Sequence, residues 1–196
     1  MELKKPGSVS AWMQIFCAYR EAFPASERKP FTVIFQMFRQ GRCHIWYWQD
    51  QGKFAGFATT VNGKNEVLLD YFAVAKEFRG RGVGTRALLA LQKIYEEKGL
   101  FVEIERVIPD ATNALQRLKR KQFYIRCAME ELGVQAEIFG VEMELLGSRC
   151  AMTFEQYRAF YHDFNSPWNE ASQHHCLLGC YTLSTLYTFS TLSMQD

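Results

Sequence analysis

Residues 66–98 read EVLLDYFAVAKEFRGRGVGTRALLALQKIYEEK, and the organisation of the chain follows from this stretch. The apolar run Val67 to Val74 has the length and the β-branched and aromatic content of a buried strand. It gives way to a basic turn, Arg79-Gly80-Arg81-Gly82-Val83-Gly84. Beyond the turn, Ala87, Leu88, Leu91, Ile94 and Tyr95 recur at helical spacing, with Arg86, Gln92, Lys93, Glu96 and Glu97 largely on the other face. Lys98-Gly99 is a helix stop. The spacing predicts a strand, a glycine turn and a helix.

Glycines let the backbone of such a turn approach a ligand closely. Successive N–H groups at a helix start, backed by the helix dipole, form an anion site. Arg79, Arg81 and Arg86 add positive charge around it. Two familiar phosphate loops are excluded. A dinucleotide fingerprint needs glycine at its sixth position, which counted from Gly80 is Thr85, and no Gly-Lys-Ser/Thr ending of a P-loop occurs.

What remains is Arg-x-x-Gly-x-Gly between strand and helix. It resembles the pyrophosphate loop of the GNAT superfamily of acetyl-CoA-dependent N-acetyltransferases, in a bacterial-type single-domain form. The resemblance implies an α/β fold: a mixed, mostly antiparallel sheet of six or seven strands, with helices on both faces and two central parallel strands splayed apart. It implies that acetyl-CoA is held by Phe72, Ala73 and Val74, through the backbone of the first splayed strand, and by the loop from Arg79 through Gly80, Arg81, Gly82, Val83 and Gly84 to Thr85. It covers roughly residues 10–162.

The rest of the chain is compatible with this. Its 196 residues suit one domain, and its 48% hydrophobic, 22% charged composition is globular. A net charge of +2 gives no reason to invoke nucleic acid or an anionic membrane. MELKKPGSVS carries no apolar run behind its lysines, and no run of about 20 apolar residues follows, so neither a secretory signal nor a membrane span is expected. The six cysteines are then expected as reduced thiols in a cytoplasmic protein.

Taken in order, 9–22 and 30–40 read as helices, the first with Trp12, Ile15, Phe16 and Tyr19 on one face. Between them Phe23-Pro24-Ala25-Ser26-Glu27-Arg28 resembles a stretch found in a subset of bacterial GNAT proteins. Glu27 and Arg28 are either loop structure or part of an acceptor pocket. Cys43–Trp48 and Phe54–Val61 read as strands, and Asn62-Gly63 as a hairpin turn into Val67. Leu100–Val107 is the strand after the central helix, and a strand, helix, strand order implies a parallel pair. Residues 111–129 are helical, with Leu115, Leu118 and Ile125 expected inward. The basic run Arg117, Lys119, Arg120, Lys121 is either a solvated face or a contact for the 3′-phosphate of CoA. Val134–Leu146 holds two strands around Phe139-Gly140, and Met152–His162 a short helix.

From Ala171 to Gln195 no Asp, Glu, Lys or Arg occurs. Residues 163–196 are expected as a non-catalytic appendage, docked or association-prone. His174, His175, Cys176 and Cys180 match no zinc spacing, so no metal is expected.

Acetyl transfer from a thioester to an amine requires a held cofactor, a base for the amine and a proton for the departing thiolate. A hydroxyl beside a thiolate of pKa about 8.5 suffices for the last. Tyr124 stands where the family often carries that acid, with a packing tyrosine as the plain alternative. An amine of pKa about 10 needs a carboxylate or a water relay. Asp70, Glu103 and Glu105 are the candidates, each with a structural alternative. Just beyond the tyrosine, where the family usually has Asn-Gly-Phe, stands Cys127-Ala128-Met129. Loss of the glycine is expected to alter the helix end, and Cys127 reads as a small apolar filler. The implied activity is acetylation of a small-molecule or peptide amine by direct attack in a ternary complex, and a homodimer stays open. The rival is a non-catalytic acyl-CoA-binding regulatory domain of the same fold.

Overall fold

The computed structural model describes residues 1–138 and 140–171, the side chains at 26 and 163–171 excepted. Helix α1 (Val9–Ala22) begins where Ser8 Oγ accepts the Ala11 N–H at 3.2 Å, which satisfies one of the donors a helix start leaves free. Helix α2 (Phe31–Arg39) follows Pro30 and buries Ile34 and Met37. Trp12 joins the two helices, with Phe35 and Phe38 edge-on to it at 5.0 and 5.2 Å.

Then come β1 (Cys43–Asp50), β2 (Lys53–Asn62) and β3 (Val67–Val74), successive antiparallel neighbours. Helix α3 (Val83–Ile94) crosses over to β4 (Leu100–Glu105), and α4 (Ala114–Arg126), β5 (Glu130–Ile138), β6 (Val141–Ser148) and α5 (Phe154–Ala171) follow among the described residues. Among the described residues the sheet has six strands in the order β1-β2-β3-β4-β6-β5, with β3–β4 its parallel pair. The α/β fold and the helices on both faces are as expected. One face carries Ile15 and Tyr19 of α1, Ile34 and Met37 of α2, and Tyr157 and Phe160 of α5. The other carries Val83, Ala87, Leu88 and Leu91 of α3 and Tyr124 of α4.

The parallel pair is the feature that positions the site. Its ladder stops after Val67↔Leu100 and Leu68↔Phe101. Beyond that point β3 stays paired with β2 as far as Val74, and β4 with β6 as far as Glu105. Each half of the sheet is therefore continuous, and a wedge opens between them. The opening has a local cause. Leu69 pairs with Thr60 and Tyr71 with Thr59, so Asp70 is an extra, unpaired residue of β3. Such a bulge bends its strand and increases its twist.

Several expectations need correction. In α4, Leu115, Leu118 and Ile125 were expected inward but lie outward, Leu115 being 64% exposed. The physical reason is ionic. Arg117 and Arg120 pair with Glu105 of β4 at 3.0 and 3.1 Å, and Lys121 pairs with Glu144 of β6 at 2.7 Å. These contacts turn the basic side toward the sheet and leave the leucines outside. The last helix runs on from 162 to Ala171, so position 162 lies inside a continuous element. Strand β5 starts at Glu130, before Val134. Phe139 lies outside the described residues.

Candidate acetyl-transfer site

The glycine loop forms at the open end of the wedge. Gly80 and Gly82 have φ of 74° and 69°, values that favour glycine. Gly82 is the N-cap of α3, no side chain caps the helix start, and its first turn holds no acid. The N–H groups of that turn thus have no capping side chain among the described residues. A Cβ at Gly84 would stand 3.1 Å from Val74 Cγ2, so this glycine lets α3 close on β3. Arg79 Nε donates to Val74 O at 3.0 Å, and Arg86 donates to Arg81 O at 3.3 Å, which pins the loop at both ends. Arg86 also reaches Asp50 at 3.1 Å, an exposed pair of the kind that contributes about 0–1 kcal/mol and does not hold the arginine away from an anion. Phe72, Ala73 and Val74 pair with Ala58, Phe57 and Gly56 on one side. They lie beyond the last β3–β4 pair, so their remaining edge faces the wedge.

Tyr124 is 7% exposed, packed against Phe123, whose ring lies 6.0 Å from that of Phe72. Its phenol makes no hydrogen bond among the described residues. Burial pushes its pKa up to about 12. At neutral pH it holds its proton.

The three candidate carboxylates have very different surroundings. Asp70 is gripped by Lys29 Nζ at 2.8 Å to both oxygens, with both side chains largely enclosed, at 14% and 16% exposure. Glu105 is held by Arg117, Arg120 and the Asn113 amide, all from α4 or its cap. Glu103 lies on the α1–α5 face, where the hydroxyls of Tyr157 and Tyr161 both donate to its Oε1 at 2.6 Å. Burial raises its pKa above the usual carboxylate range, the two tyrosines oppose that, Asp70 adds to it and Lys29 offsets it. Asp70, Lys29 and Glu103 thus share one side of the wedge. Glu105 turns to the other.

The loop before α2 is clamped over that side by its backbone. Tyr71 donates to Glu27 O and accepts from Lys29 N, at 3.0 and 3.1 Å, while Tyr19 donates to Lys29 O at 2.9 Å. Lys29, Tyr157 and Tyr161 escaped the sequence reading. The tyrosines have a signal, an i, i+4 pair on an amphipathic helix, whereas nothing local sets Lys29 apart.

Cys127-Ala128-Met129 does not alter the helix end as expected. Ala128 has φ of 58°, and the Met129 N–H reaches Tyr124 O at 3.1 Å, the closure a glycine ordinarily gives. Alanine in that conformation costs roughly 1–2 kcal/mol, which the packing of Met129 and Cys127 in the core sustains. Among the described residues no cluster of metal-ligating side chains occurs, and no helix is long and apolar enough to cross a membrane. His174, His175, Cys176 and Cys180 lie outside the described residues.

A splayed parallel pair with an uncapped glycine loop at its mouth defines an α/β domain of the acyltransferase type. The family model described as Acetyltransferase (GNAT) family matches residues 11–122, and the chain belongs to that family. No curated protein matches the chain in sequence. Among solved structures it is similar to a Bacteroides thetaiotaomicron protein assigned to the GNAT family, with TM-score 0.70 and 19% identity over 85% of this chain and 97% of that one. It is similar to an aminoglycoside 6′-N-acetyltransferase complexed with coenzyme A, with TM-score 0.59 and 11% identity over 76% and 96%. It is also similar to the ribosomal-protein-S18-alanine N-acetyltransferase of Escherichia coli, with TM-score 0.54 and 18% identity over 79% and 96%. At these identities the likeness concerns the fold.

Proposed function

We propose that the protein moves an acetyl group from acetyl-CoA to a small-molecule or peptide amine, with Glu103 as the base and Tyr124 as the acid. The observation that carries the reading is the wedge itself. It is the break in an otherwise continuous sheet, Tyr124 lies on its α3–α4 side, and Glu103 lies on its α1–α5 side. A thioester entering the wedge stands between a proton donor and a proton acceptor. The amine nitrogen attacks the thioester carbon and the C–N bond forms. Its proton leaves to Glu103, directly or through water. The C–S bond breaks, and the thiolate takes the phenol's proton. The residues fit the cofactor: the uncapped N–H groups of α3 suit a pyrophosphate, and the wedge-facing edge of Phe72–Val74, whose Val74 carbonyl also accepts from Arg79, suits the pantetheine amides. Asp70 and Glu105, already ion-paired, serve here as positioning groups for the Lys29 loop and for α4.

The test has two arms. Gly82→Val places a β-branched residue at a φ of 69°, which displaces the N–H groups of the loop. It is expected to weaken acetyl-CoA binding at least tenfold by calorimetry, and unchanged affinity in a folded variant would remove the cofactor site. Thiol release measured across a panel of amines then separates an enzyme from an acyl-CoA-binding domain, since the latter binds and releases no thiol.

In this reading the segment beyond α5 supplies no catalytic group. A chain ending at Ala171, the last residue described in α5, is expected to fold and to bind acetyl-CoA with unchanged affinity. A folded truncation that binds no cofactor would show that the segment belongs to the site.

A further inference from the structure

Helix α5 lies outside the residues matched by the family model, yet it supplies both partners of Glu103. Its start is set by a reciprocal cap. Gln156 Oε1 accepts the Thr153 N–H at 2.7 Å, and Thr153 Oγ1 accepts the Gln156 N–H at 3.2 Å. Nearly two turns in, Phe160 meets Phe101 of β4 edge-on at 5.1 Å, which fixes the helix against the strand that carries Glu103. Tyr157 and Tyr161, four residues apart, then project from the same side of α5. Their rings brace each other edge-on at 5.2 Å.

Both hydroxyls donate to the same oxygen, Oε1. Oε2 makes no hydrogen bond among the described residues. We infer that Tyr157 and Tyr161 are positioning residues for Glu103: they hold Oε1, fix the carboxyl plane and leave Oε2 to take the proton of the amine. The inference rests on the reading of Glu103 as the base. Both phenols have their pKa raised, chiefly by burial, and remain donors throughout the working pH range.

The sign of the effect follows from the groups around the carboxyl. Tyr157 and Tyr161 from α5 and Lys29 from the segment before α2 favour the charged form, while Asp70 of β3 and burial oppose it. Removing a donor therefore raises the pKa further, and the acidic limb of activity moves to higher pH.

The test uses the full chain, Tyr157→Phe, Tyr161→Phe and the double variant. The Glu103 carboxyl carbon is followed by NMR in protein labelled with carbon-13 glutamate, and its resonance is assigned by its loss in Glu103→Gln. This readout needs no acceptor. The titration midpoint is expected to move up in each single variant and further in the double variant. The acidic limb of kcat/KM should move with it, measured by thiol release with the best amine of the panel. Should Tyr157→Phe fail to fold, Tyr161→Phe, at the less enclosed position, carries the same comparison. A midpoint unmoved in a folded Tyr161→Phe protein would overturn the inference, because the bonds would then be packing only. Wild-type turnover in Glu103→Gln would instead overturn the reading of Glu103 as base, and with it the positioning role, while the NMR titration would still report on the two hydrogen bonds.

Discussion

Glu103→Gln is expected to lower kcat by about 10²- to 10³-fold, the range that one positioned base contributes, and to leave the dissociation constant for acetyl-CoA within a few-fold. The substitution keeps the size and the Oε1 acceptor that Tyr157 and Tyr161 address. It deletes only the capacity to take a proton. The pH profile makes the assignment specific. A base works when deprotonated, so wild-type activity falls as pH drops through the raised pKa of Glu103. In Glu103→Gln that limb should vanish, and the residual rate should climb as alkali deprotonates the amine itself. Asp70→Asn is the informative control. It breaks the ion pair that Lys29 makes with both carboxylate oxygens, and losing one partner of a largely enclosed pair costs stability. Its signature is a lower unfolding midpoint with the acidic limb still present. An acidic limb that survives in Glu103→Gln and vanishes in a stably folded Asp70→Asn would transfer the base to Asp70.

The second large effect concerns Tyr124. Tyr124→Phe retains the ring packed on Phe123 and removes a hydroxyl that bonds to no other described residue. Its fold should therefore be unaffected. A phenol set against the sulfur acts as the thiolate forms, so it stabilises the transition state more than the bound cofactor. The expected result is a kcat lower by about 10²-fold, again the usual range for one proton donor, with acetyl-CoA affinity unchanged. The deficit should shrink with an acyl donor whose thiol is more acidic, because that leaving group needs less help. With a pKa pushed up to about 12, the phenol is not expected to limit the rate on the alkaline side near neutrality. Wild-type turnover in Tyr124→Phe would reduce the residue to packing. A joint collapse of binding and turnover would make it structural.

The segment from Val67 to Lys98 was legible because everything it specifies is local. Glycine at a positive φ, an apolar run of strand length and a 3.6-residue period are each written within a few positions, and strand, turn and helix start fall where these signals put them, although α3 ends at Ile94, short of the stop expected at Lys98-Gly99. The family resemblance rests on the same short window. The inward side of α4 was misread for the opposite reason. Apolar spacing pointed to Leu115, Leu118 and Ile125, but Glu105 and Glu144, from two other strands, turned the basic side to the sheet. Ala128 shows the same limit, since an alanine takes the left-handed conformation only because the surrounding core holds it there.

The candidate site divides along this line. The sequence determined that the chain carries a glycine-rich helix start, a tyrosine after the second central strand and carboxylates on both strands. Which carboxylate keeps an oxygen without a partner among the described residues was decided by tertiary structure alone. Asp70 is enclosed because a bulge, a shift in pairing between β2 and β3, brings it to Lys29, and Glu105 because the chain turns back into α4. Glu103 meets two tyrosines more than fifty positions away because α5 packs across β4. Such pairings depend on register and on how helices cross a sheet, quantities set by the sum of all contacts and written in no single stretch of residues.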